Sequence, residues 1–177
     1  LAGIVRELPA DEISIEVTSK DVASIKSGPS FFKILGLAKD EFPPLATFED
    51  ANEYKIEQKV FKEALKMTSY AISNDETRYV LNGILCSFKE GLLTLVATDG
   101  RRLAMVQNDV EFPKSLETEV IVPTKAVNEL QRLLADDGEV KISISDSQIA
   151  FELNDNLLVS KLIEGNYPNY NQVIPKN

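Results

Sequence analysis

Apolar and polar positions along the chain alternate with two different periods, and the switch between them occurs twice. Residues 53–65 read EYKIEQKVFKEAL and residues 118–130 read TEVIVPTKAVNEL. Each stretch opens with the two-residue alternation of a half-buried strand and passes a lysine, Lys59 or Lys125. Each then takes up the apolar spacing of an amphipathic helix. In the first helix Phe61, Ala64, Leu65, Thr68 and Ile72 share one side, and Lys62, Lys66 and Ser69 fall on another. In the second, Val127, Leu130 and Leu134 are core candidates, with Lys125, Asn128 and Arg132 opposite. Three strand-like runs follow each helix. They are VLNGILCSFK, LLTLVAT and RRLAMVQ after the first, and EVKISIS, QIAFEL and LLVSKLIE after the second. Two tandem βαβββ units are predicted.

A second, longer repeat extends the pattern toward the start of the chain. Residues 12–44 match residues 139–169: alternating apolar residues, two short strands, then an aromatic-proline exit at Phe42-Pro43 or Tyr167-Pro168. The first ~50 residues therefore read as the tail of a unit whose beginning lies elsewhere. Residues 1–48 are expected to be the end of one domain and residues 49–177 a complete second one. The stretch 44–52, with its proline and acidic residues, is the expected linker. The fold class is α+β, with two helices packed on mainly antiparallel sheets in each full domain.

Composition narrows the function classes. The chain has 177 residues, 44% of them hydrophobic and 27% charged, enough for an ordinary core. It contains no histidine, which removes His-based catalysis and His metal sites. Its one cysteine, Cys86, lies in an apolar run, so no internal disulfide can form, and a cytoplasmic location is expected. Apolar runs are too short for a membrane span, and no signal peptide opens the chain. It begins at Leu1 rather than Met, as a processed or excised start would.

The formal charge of −9 argues against a generally basic nucleic-acid surface but permits a local basic stripe on the two helices. A solvated helix face is the plainer account of the same lysines. No phosphate-binding glycine loop or dinucleotide fingerprint is present. The acidic runs 73–76 and 136–139 sit between helix and strand, where turn chemistry explains them better than a metal does. No cofactor, metal or catalytic residue is expected. One stretch remains unexplained: LLTLVATDGRRLAMV, residues 92–106, places two adjacent arginines beside an Asp-Gly turn in an acidic chain.

Four segments carry a family resemblance in order and spacing: TRYVLNGIL (77–85), VATDGRRLA (96–104), VIVPTKAV (120–127) and SKLIEGNYPNYNQVIP (160–175). Together they resemble the bacterial β sliding clamp family, the processivity subunits of DNA polymerase III. The resemblance covers the whole chain. It implies the DNA-clamp fold, three similar domains per subunit with two βαβββ units in each, and a head-to-tail homodimeric ring. Helices would line the hole and sheets would form the outer wall. It implies no enzymatic activity of its own. The ring would encircle duplex DNA without sequence preference, as a topological link. It would tether the polymerase catalytic subunit, the clamp loader, and other polymerases and repair proteins at high effective concentration.

The resemblance also assigns residues. A partner-peptide pocket on the outer face would comprise Leu81, Thr98, Gly100, Arg101, Arg102, Leu103, Pro168, Gln172 and Val173, completed by the third domain. Arg101 stands where the family often has His, and Gln172 where it often has a basic residue. Lys59, Lys62, Lys66, Lys125 and Arg132 would face DNA from the helices, and Arg78 and Tyr79 from the loop NDETRY (74–79). Leu81, Leu103, Pro168 and Val173 would form an apolar floor for aliphatic and aromatic anchors. Arg102 could stack on a ligand or donate to its carbonyls. Three function classes are weighed: a sliding clamp, a peptide-binding module that never encircles DNA, and a metal-dependent enzyme using the acidic turns.

Overall fold

A computed structural model describes residues 1–9, 12–42, 47–48 and 51–175. Two compact units divide the chain, with the boundary between residues 46 and 47. The first contains a short helix, α1 (Ala2–Arg6), and a meander of β1 (Ser14–Val17), β2 (Val22–Ser27) and β3 (Ser30–Leu35). Ile25 is fully buried within it. Most of the expected linker 44–52 lies outside the described residues.

The second unit has the order β4 (Asn52–Glu57), α2 (Gln58–Ser69), β5 (Gly83–Lys89), β6 (Leu92–Thr98) and β7 (Leu103–Asp109). It continues with β8 (Thr118–Pro123), α3 (Thr124–Leu133), β9 (Glu139–Ile144), β10 (Gln148–Leu153) and β11 (Asn156–Lys161). The predicted βαβββ units are present in that order. Their connection was not legible in the periodicity. Each unit's first strand joins the other unit's sheet: one sheet runs β11-β10-β9-β4 and the other β7-β6-β5-β8. Every registered pair in both is antiparallel. This exchange fuses the two repeats into one core, since neither sheet is complete without a strand from the other repeat.

That core is continuous. Phe61, Ala64 and Leu65 of α2 and Val127 and Leu130 of α3 pack with Ile84, Leu93, Leu95, Val140, Ile142 and Phe151 from the sheets. Burying side chains such as Phe61 and Leu130 contributes about 1.5–3 kcal/mol each. Tyr54 stacks on Phe88 at 3.8 Å between centroids, and its hydroxyl donates to the Leu116 carbonyl. Gln58, fully buried at the start of α2, accepts from the Ala135 N–H and donates to the Glu139 carbonyl and to Asn154. Satisfying a buried amide in this way fixes the α3–β9 connection against α2. Cys86 is buried in β5, and burial pushes its thiol up to about 12, so it belongs to the packing.

Two predicted strand starts are displaced: β7 begins at Leu103, past the two arginines of the turn, and β5 begins at Gly83. Val80 and Leu81 lie in a 3-10 segment, Glu76–Leu81, rather than in β5. Asp75 caps that segment by accepting from the Thr77 N–H at 3.0 Å. The local cap overrides the strand-like apolar run.

Candidate functional site: an apolar cavity beside the β6–β7 turn

The Asp-Gly turn is held by its own side chains. One carboxylate oxygen of Asp99 accepts from the N–H groups of Arg101 (2.9 Å) and Arg102 (3.1 Å), and the other accepts from Arg102 Nε at 3.1 Å. These backbone donors, first Arg101 and then Arg102, hold the Asp99 carboxyl below the usual carboxylate range. Thr98 Oγ1 accepts from the Gly100 N–H at 3.1 Å and donates to the Arg102 carbonyl at 2.7 Å. Gly100 has φ +85°, a conformation that side chains beyond glycine rarely take. A Cβ there would also lie 2.7 Å from Arg78 Nη1.

A cavity of about 420 Å³ opens beside this turn. Eight of the nine residues expected of a peptide pocket converge on its wall: Leu81, Thr98, Gly100, Arg101, Arg102, Leu103, Pro168 and Val173. Gln172 does not; it is exposed in a 3-10 turn, Tyr170–Gln172, away from the lining. Asn169 and Tyr170 line the cavity and were missed. They stand inside the motif 160–175. The segment there is irregular, so no period tells which side chains turn inward.

Two further tyrosines shape the cavity. Tyr167 accepts the Thr98 N–H through its hydroxyl at 3.1 Å, tying the 162–171 segment to the turn. Burial pushes that phenol up to about 12. The guanidinium of Arg102 lies 5.7 Å from the ring centroid of Tyr70, just past α2. Asp99 and Tyr70 hold Arg102 from two sides, which limits its rotamers at the cavity rim.

The DNA-facing expectations divide. Lys59, Lys66, Lys125 and Arg132 are exposed on α2 and α3. Lys62 is tied to Asp136 across to the α3–β9 connection at 2.7 Å, and Arg132 reaches Glu129 at 3.4 Å. The side chain of Lys62 also holds the Asp136 carboxyl below its ordinary range. Arg78 and Tyr79 sit elsewhere. Arg78 pairs with Asp75 at 2.9 Å and lies over Gly100, while Tyr79 lies against Gly165. The loop is thus packed beside the β6–β7 turn, with both side chains still exposed. Among the described residues no cluster of three acidic or cysteine side chains could hold a metal ion. No described helix is long and apolar enough to cross a membrane.

Comparison with known proteins settles the family. Residues 55–169 match the family model described as the DNA polymerase III beta subunit, central domain. The chain belongs to the DNA polymerase III beta subunit family. It is 37% identical over 171 residues to the beta sliding clamp of Chlamydia pneumoniae, covering 97% of this chain and 47% of that protein. The crystal structure of the DNA polymerase sliding clamp from Bacillus subtilis superposes with a TM-score of 0.85 at 32% identity, covering 99% of this chain and 47% of that one. The Pseudomonas aeruginosa beta subunit gives 0.84 at 35% identity, over 99% and 48%. The chain thus spans about half the length of the clamps it matches. The α+β fold of interlocked antiparallel sheets is the sliding-clamp fold.

Proposed function

We propose that this chain is part of a ring-forming sliding clamp, a DNA polymerase processivity factor with no catalytic activity of its own. Residues 1–48 are read as the C-terminal part of the first clamp domain and residues 49–177 as the complete middle domain. The observation that carries the reading is the convergence of eight expected pocket residues on one apolar cavity, in a chain of the clamp family. That cavity takes a short peptide with aliphatic and aromatic anchors from the polymerase, the clamp loader or a repair protein. Leucine, proline and valine walls reward apolar anchors, and the fixed Arg102 donates to peptide carbonyls. The exposed cations Lys59, Lys66 and Lys125 face the phosphates of encircled duplex DNA, with Lys62 and Arg132 contributing less because Asp136 and Glu129 already offset them. Arg78 is assigned to support of the turn instead. A homodimeric ring and a cytoplasmic location complete the proposal.

The test uses a full-length clamp carrying these residues, loaded on nicked circular DNA by its clamp loader. Retention on a sizing column is measured before and after one restriction cut. Release on cutting is expected of a topological link; retention on the linear product would mean direct adhesion and overturn the proposal.

A further inference from the structure

We propose that a second, polar cleft across the Pro168–Tyr170 wall binds the residues flanking the partner peptide and selects a basic flank. The inference rests on the peptide-pocket reading of the apolar cavity. The cleft has a volume of about 650 Å³, larger than the apolar cavity, and Lys89, Glu119, Asp146, Glu164 and Asn166 contribute to its lining. Its polar lining suits it poorly to apolar anchors, which is why the smaller cavity is assigned to them.

Continuity is the first ground. Pro168, Asn169 and Tyr170 line both cavities, so one short segment separates them. A peptide covers about 3.3 Å per extended residue, so the residues just beyond the apolar anchors can reach past a single segment. The wall is also fixed from both sides. Tyr167 is tied to Thr98 of the apolar cavity, and the Ile163 N–H donates to the Ile121 carbonyl of β8 at 2.9 Å.

Charge is the second ground, and it selects the occupant. Of the cleft's carboxylates, Glu119 is already engaged by Lys89 at 2.8 Å and by Ser87 Oγ at 3.0 Å. Asp146 and Glu164 are exposed and form no ion pair with a described residue. The cleft therefore presents two uncompensated negative charges, whereas the apolar cavity carries Arg101, which forms no ion pair with a described residue, and Arg102, which Asp99 offsets. A lysine or arginine on the peptide is attracted at one end and repelled at the other, which fixes its direction of travel.

The experiment measures fluorescence anisotropy with labelled peptides that share one apolar centre and carry Lys, Ala or Glu on either flank. The protein is the full-length clamp, in three forms: unchanged, Asp146→Lys/Glu164→Lys, and Asp137→Lys/Asp155→Lys. The last pair lies beyond the opposite ends of β9 and β10 and changes the net charge equally. The unchanged protein is expected to prefer a Lys over a Glu flank by about threefold, a preference weakened by salt. The cleft reversal is expected to invert it and the remote reversal to leave its sign unchanged. Flank-independent binding, or an equal response to both reversals, would overturn the proposal, the latter because the overall field would suffice. Failure of the Ala-flanked peptide to bind the unchanged protein would overturn the pocket reading, and the flank inference with it.

Discussion

Arg78 and Arg102 each bind an aspartate three residues away, Asp75 at 2.9 Å and Asp99 at 3.1 Å, inside the turns that carry them. Lys59, Lys66 and Lys125 on the helices form no ion pair with a described residue. The same charge is thus put to two uses. Exposed pairs of this kind contribute little stability, because solvent screens them and two side chains must be ordered to make them. Their effect is geometric: a guanidinium held by a carboxylate presents its remaining N–H groups in one direction. Such fixed donors suit a ligand bound in one pose. Free lysines instead offer charge without a preferred position, which suits a phosphate backbone that moves past them. Lys62 stands between the two classes, a helix lysine already held by Asp136.

The harshest way to break the fixed side is at the cavity floor. Leu81 is 6% exposed and lines the cavity. Leu81→Asp places an unpaired carboxylate against the apolar wall that includes Leu103, at a cost of at least about 2 kcal/mol. Peptide binding measured by anisotropy is expected to disappear, and the chemical denaturation midpoint to fall. An unchanged peptide affinity would detach Leu81 from the site.

Gly100 comes next. Gly100→Ala faces two separate penalties, the positive φ and the Arg78 guanidinium 2.7 Å from the new Cβ. The first costs about 1–2 kcal/mol. The second is smaller, because Arg78 ends in a flexible side chain. In an Arg78→Ala background only the first penalty should remain, so a double-mutant cycle on denaturant melts is expected to show coupling between the two sites. Strict additivity would mean that the Arg78 guanidinium does not crowd that position.

Only the turn was legible from residue types, because local chemistry dictates a hairpin turn's geometry; the cavity's membership, Leu81, Leu103, Pro168 and Val173 included, came from the family resemblance. Thr98, Asp99 and Gly100 hold that turn through their own side chains and backbone. The βαβββ order was equally legible, since two periods mark strand and helix directly. The exchange of β4 and β8 between sheets was not, because strand pairing depends on partners distant in sequence. The same limit explains the members whose surroundings differ from the expectation. Arg78 carries a positive charge in a loop near basic helices, yet Asp75 turns it toward Gly100. Gln172 sits in a 3-10 turn, where one residue's shift moves a side chain off the wall. Tyr167 reaches Thr98 only through the fold, so no spacing predicts it.

Asp99 gives the comparison a pH dependence. Its carboxyl is held below the ordinary range by the Arg101 and Arg102 N–H groups, so its folded-state pKa is lower than its unfolded one. The contribution to stability is therefore present above the unfolded carboxylate range and is lost as pH falls through the folded pKa. Asp99→Asn removes that titration. Peptide affinity is expected to fall in strong acid for the unchanged protein, and to lose part of that acid dependence in the variant. Identical acid profiles would show that Asp99 does not control the Arg102 geometry.

The smallest effects belong to the free cations, and they are the sharpest test of the contrast. Lys66→Ala is expected to change stability by less than about 0.5 kcal/mol. In the proposed DNA-facing role it reduces the salt dependence of DNA association by the clamp. The logarithmic slope falls by about 0.9 for every phosphate that is no longer neutralised. Lys62→Ala should lower it less, because Asp136 already offsets that charge. Asp136→Asn should then raise the slope by freeing Lys62, with little change in peptide affinity, since Asp136 is not among the cavity's lining residues. Measurement of association across a salt series for the three variants compares one cation in two states. Equal slopes for Lys62→Ala and Lys66→Ala would mean that the neighbouring carboxylate does not decide which helix lysines reach the phosphates.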